Sequence, residues 1–97
     1  MIVHSVAFSL GSHVTDDVRA NLLTELAAFP KLYPQMRHWR LGRNISQRDQ
    51  TYEYAFVVEF DGLEALNQYL ESESHELFVQ RRWQPLVSRR AICTFEA

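Results

Sequence analysis

The stretch from Tyr52 to Phe60 alternates so regularly that only an extended strand can use it. Tyr52, Tyr54, Phe56, Val58 and Phe60 point one way and Glu53, Ala55, Val57 and Glu59 the other, as the two-residue repeat of a strand demands. A strand is therefore expected over Thr51–Phe60. The opening residues repeat the pattern, with Ile2, His4, Val6 and Phe8 on one face and Val3, Ser5, Ala7 and Ser9 on the other. Two strands with one bulky face each require a helical layer to cover those faces.

The segments between them supply that layer. Gly11 and Ser12 end the first strand, and Thr15 reads as an N-cap followed by Asp16 and Asp17, carboxylates suited to the positive end of a helix. Val18, Leu22, Leu26 and Phe29 then recur at helical spacing until Pro30 and Pro34 stop the helix. A second strand is expected from Met36 to Ile45, with Gly42 as the place for a bend or bulge and Ser46 to Gln50 turning the chain back. Asp61 with Glu64 resembles a capping box opening a helix that carries Leu63, Leu66 and Leu70. Ser72 or Ser74 caps another helix, with Pro85 near its end, and a last strand runs over Arg89–Phe95. Right-handed crossovers turn this order into a four-stranded, largely antiparallel sheet with helices on one face, an α+β ferredoxin-like plait in a single domain over residues 1–97.

Composition narrows the function classes. With 97 residues, 46% of them hydrophobic, the chain holds one modest core that pairing with a second copy would enlarge. The net charge of -2 and the mingling of acidic with basic residues exclude a dominant nucleic-acid or membrane-surface footprint. MIVHSVAFSL carries no basic leader and no apolar run reaches bilayer length. With Cys93 alone, no internal disulfide is available, and a cytoplasmic protein is expected. No carboxylate and histidine cluster stands at metal-binding spacing, and no cofactor motif is present.

Helical phase singles out the chemistry. His75, Phe78 and Val79 fall on one stripe, which must face the sheet, and Tyr69 closes the preceding helix close by in sequence. His75 lies in the first turn of its helix, where the dipole disfavours an imidazolium and favours a neutral base. A neutral histidine beside a phenol suits enolisation, the ring removing a proton α to a carbonyl while the hydroxyl stabilises the oxyanion. Expected walls of the pocket are His4, Phe8, Tyr54, Phe56 and Phe78. A histidine on an apolar stripe is more often a core residue hydrogen-bonded to a carbonyl or a tyrosine than a catalyst, and His38 and His13 are expected to be partly exposed and unpaired.

These residues in this order resemble the stress-responsive α/β barrel family of dimeric ferredoxin-like proteins. The resemblance runs through His4, the segment Gly42 to Ser46, Tyr52 to Phe60, and Tyr69 with His75 and Phe78. It implies a homodimer whose sheets pack into a barrel, with Val3, Ala7, Ala55 and Val57 inside. The chain is also similar to plant polyketide cyclases of that family, which implies His75 and Tyr69 as catalytic pair and a small apolar carbonyl ligand. Leu26 and Tyr54 depart from the tyrosine and histidine found there, so the substrate pocket differs. Two other readings are a noncatalytic stress-response dimer and a haem-binding or monooxygenase-type barrel with His75 as ligand. Tyr54 to Val57 also fits the middle of an RNA-recognition motif, but Tyr52, Glu53 and Glu59 break it.

Overall fold

The computed structural model describes all residues, Met1 to Ala97. The strands are β1 (Ile2–Leu10), β2 (Arg37–Arg43), β3 (Tyr54–Phe60) and β4 (Val87–Glu96). They form one antiparallel sheet in the order β2-β3-β1-β4, the plait expected from the element order. One crossover carries α1 (Asp16–Ala27) and α2 (Phe29–Leu32). The other carries α3 (Leu63–Glu71), α4 (Glu73–Phe78), a π-helical turn at Val79–Trp83 and α5 (Gln84–Leu86).

Alternation in β1 and β3 translates directly into burial. Ile2, His4, Val6, Phe8 and Leu10 are buried, and so are Tyr54, Phe56, Val58 and Phe60. The register places His4 opposite Val58, Val6 opposite Phe56 and Phe8 opposite Tyr54, so both bulky faces form one floor under the helices. Leu22, Leu26, Phe29, Leu66 and Tyr69 cover it. Phe29 is the hub of the aromatic layer, with ring centroids 4.9 Å from Phe78, 5.4 Å from Tyr33 and 5.6 Å from Trp39.

Local structure departs from the expectations at several points, each with a physical cause. Thr15 caps α1 by accepting from the Val18 amide, but Pro30 sits in the first turn of α2, where its missing N–H costs nothing, and does not end the helical run. Asp61 does not cap α3; its carboxylate is held by Arg37 at 2.8 Å, and Gly62 takes the cap position without a side-chain bond. Gly42 is regular, and the irregularity of β2 falls between Arg37 and Arg40, where His38 adopts φ 54°. β3 begins at Tyr54 and not at Thr51; Glu53, just before it, has its carboxylate accepting from the Leu10 amide at 2.9 Å and from Arg19 at 3.0 Å. His38 and His13 are both partnered, His38 by Glu59 at 3.1 Å and His13 by donating to the Pro85 carbonyl at 3.0 Å.

Candidate functional site

One serine hydroxyl makes the junction on which the site depends. Ser72 Oγ donates to the Tyr69 carbonyl at 2.8 Å and accepts from the His75 amide at 3.3 Å, tying the end of α3 to the start of α4. Of the two serines eligible as cap, Ser74 instead meets the Tyr33 hydroxyl at 2.9 Å. The tie brings the Tyr69 and His75 rings to 4.5 Å between centroids at 59°.

The His75 ring is anchored a second time. Its Nδ1 donates to the Leu70 carbonyl at 3.1 Å, since a carbonyl can only accept. In the neutral ring this bond assigns the proton to Nδ1 and leaves Nε2 as a free acceptor. Burial lowers the His75 pKa below its ordinary value, outweighing the Leu70 bond and the Glu76 charge, which raise it. His4 is also lowered, first by burial and then by repulsion from His75. Burial pushes the Tyr69 phenol well above its ordinary pKa, and the nearby Tyr33 adds to the shift.

Tyr69, His75 and His4 converge on a cavity of about 200 Å³ between sheet and helices. His4 is 5% exposed, and its Nδ1 is 2.8 Å from Thr94 Oγ1 across the β1–β4 ladder. Phe56 and Phe78 also line the cavity, together with Val6, Leu26 and Phe29. The Tyr69 hydroxyl, His75 Nε2 and His4 Nε2 make no hydrogen bond within the chain. An apolar chamber with three unpartnered polar atoms is suited to hold a small molecule by an oxygen and to move a proton.

Phe8 and Tyr54 lie outside this cavity, contrary to the sequence expectation. Phe8 is fully buried, packed between Tyr54 at 5.5 Å and Trp83 at 4.9 Å, so the indole stands between it and the void. The Tyr54 hydroxyl is taken by Arg19 at 2.9 Å. Trp83 lines the cavity instead, a residue whose i+4 relation to Val79 continues the α4 stripe and was there to be read. Gln84, Arg90 and Ile92 complete the wall. The β4 register explains the last two, because Arg90 pairs with Phe8 and Ile92 with Val6, placing both on the helix side of the sheet. No group of three or more His, Cys, Asp or Glu side chains is arranged to hold a metal ion. No helix is long and apolar enough to cross a membrane.

The fold and this chamber define the class: a ferredoxin-like α+β protein of the kind whose solved examples include dimers. Residues 2–97 match the family model of the Stress responsive A/B Barrel Domain, and the chain belongs to that family. An uncharacterized protein of Streptomyces coelicolor is 35% identical over 79 residues, 78% of this chain and 80% of its own. A family member from Mesorhizobium loti with a ferredoxin-like fold superposes with a TM-score of 0.86 at 26% identity, over 99% of this chain and 95% of that one. A dimeric ferredoxin-like protein of unknown function from Thermobifida fusca gives 0.83 at 22%, over 99% and 90%. The hydroxynitrile lyase of Passiflora edulis gives 0.86 at 13%, over 97% and 90%, a likeness of fold alone.

Proposed function

We propose that the chain binds a small apolar carbonyl compound in this cavity and acts on it as a cofactor-independent enzyme of the lyase or cyclase type. His75 is the base and Tyr69 the oxyanion donor. The observation that carries the reading is the bond from His75 Nδ1 to the Leu70 carbonyl, which leaves Nε2 unprotonated on a ring lining the cavity beside an unpartnered phenol. In the step envisaged, Nε2 takes a proton from the carbon α to the carbonyl. The C–H electron pair moves into the new C=C bond, and the charge arriving on oxygen is met by the Tyr69 hydroxyl. His75 then returns a proton to carbon or to a leaving group.

The size of the cavity supports this over the alternatives. A noncatalytic dimer needs no void in its core. A haem would require more room than this, since typical cofactor and drug-sized sites occupy roughly 300–1,000 Å³. A cavity of about 150 Å³ takes up benzene, so about 200 Å³ suits one ring with a short acyl group.

The functional unit we infer is a homodimer. Val3, Ala7, Ala55, Val57, Ala91 and Phe95 share the sheet face opposite the helices, and Phe95 is 49% exposed on it. These apolar side chains, with Ser5, Ser9 and Cys93 between them and the charged Glu59 and Arg89 on the same face, have no covering layer in the chain and fit a second sheet.

Acetophenone in D₂O tests the chemistry without knowledge of the natural substrate. The wild-type protein is expected to accelerate exchange of the methyl protons, followed by NMR, and His75→Gln to lose the acceleration while keeping its oligomeric state. Exchange at an equal rate in the two proteins would remove His75 from the mechanism.

A further inference from the structure

The fourteen residues around the cavity include no aspartate or glutamate, and the only permanently charged one is Arg90. His4 and His75 both have lowered pKa values and are neutral near pH 7. The chamber is thus apolar and uncharged except where Arg90, exposed on the edge strand β4, stands at its rim beside Gln84.

The guanidinium there is also unspent. Arg19, Arg37, Arg40 and Arg82 each pair with a carboxylate of the chain, whereas Arg90, like Arg43, Arg48, Arg81 and Arg89, makes no ion pair, and of these unpaired arginines it is the one that lines the cavity. Its orientation follows from register and not from chance on a surface: Arg90 lies opposite the fully buried Phe8, so it projects to the helix side, while its neighbour Arg89 lies opposite Ser9 and projects to the other. A planar fork of donors at the mouth of an apolar, carboxylate-free chamber matches a carboxylate, which it can hold by two parallel hydrogen bonds.

We propose that Arg90 forms an anion subsite, so that the ligand of this cavity is a small apolar molecule bearing a carboxylate held at the rim while its uncharged part enters. This deepens the functional reading above and rests on it for the identity of the chamber as a ligand site. It makes Arg90 a specificity residue: it selects the ligand by charge, and His75 and Tyr69 do the chemistry.

Benzoate and benzamide have nearly the same shape and differ in charge, so their affinities measured by isothermal titration calorimetry isolate the subsite. The wild-type protein is expected to bind benzoate roughly tenfold more tightly than benzamide, the size of one charge-assisted pair. Arg90→Gln should bring the two affinities together by weakening benzoate, Arg90→Lys should restore part of the preference, and Arg89→Gln should leave it as it is. Equal affinities in the wild type, binding of neither compound at millimolar concentration, a preference that survives Arg90→Gln, or its loss in Arg89→Gln would each overturn the proposal. The benzoate preference is read without turnover, so a preference in a wild-type protein that does not catalyse acetophenone exchange, or exchange without a preference, separates failure of the base from failure of the subsite.

Discussion

Replacing Tyr69 by phenylalanine removes one oxygen and nothing else, and the structure sets both the stability and the chemistry apart. Tyr69 is 1% exposed, with its ring stacked on Phe60 at 5.7 Å and edge-on to Tyr33 at 4.8 Å. Phenylalanine keeps all of that packing. The hydroxyl has no partner within the chain but opens on the cavity, so its removal breaks no bond and relieves at most a fraction of the about 1–3 kcal/mol that a fully buried orphan would cost. Tyr69→Phe is therefore expected to be as stable as the wild type or up to about 1 kcal/mol more so, a rise of at most ~4–8 °C in Tm for a domain of this size. A structural tyrosine with a hydrogen-bonded hydroxyl would instead lose about 0.5–1.5 kcal/mol. Catalysis should move the other way, because deleting an oxyanion donor lowers the rate by about 10²–10³. Urea unfolding and acetophenone exchange read the two effects separately. A variant destabilised by more than about 1 kcal/mol would refute the reasoning about the hydroxyl, and a stable variant with full exchange activity would refute its role as donor.

Two further outcomes follow from the same geometry. Exchange should rise with pH through a midpoint below the ordinary histidine value of 6.5 and then stay level to about pH 10, since His75 is lowered and Tyr69 raised; a midpoint at or above 6.5 in the rate profile would contradict the half-buried neutral base. Stability follows the same groups: the unfolded chain binds more protons than the folded one below pH 6.5, so the contribution of His4 and His75 is complete above 6.5 and is lost as pH falls toward their lower folded values. Urea midpoints across this range should drop more in the wild type than in a His4→Gln, His75→Gln double variant. Ser72→Ala should cost about 1 kcal/mol as a lost N-cap and should slow exchange as well, because the same hydroxyl ties the Tyr69 carbonyl to the His75 amide; unchanged exchange would show that the junction holds without it.

The plait was legible because each of its elements announces itself locally. Alternation in β1 and β3 and the Thr15 and Ser72 caps depend on neighbours within a few residues, and burial followed the alternation closely. The strand ends were less so. β3 was expected from Thr51, but it starts at Tyr54, and the Glu53 carboxylate before it is held by Leu10 and Arg19, partners 43 and 34 residues away. Asp61 had the right spacing for a capping box, and an arginine from β2 claimed it.

For the site, the sequence by itself determined which way His75 turns and that Tyr69 lies next to it, since helical phase and a cap are properties of a short segment. Which residues share the chamber with that pair was decided only by the tertiary structure. Phe8 and Tyr54 have the same facing as His4 and Phe56, but Trp83 fills the space above Phe8 and Arg19 draws off the Tyr54 hydroxyl. Arg90 reaches the rim because β4 pairs antiparallel with β1 in a register that sets it opposite Phe8. Pairing register and side-chain volume come from residues distant in the chain, and no local period encodes them.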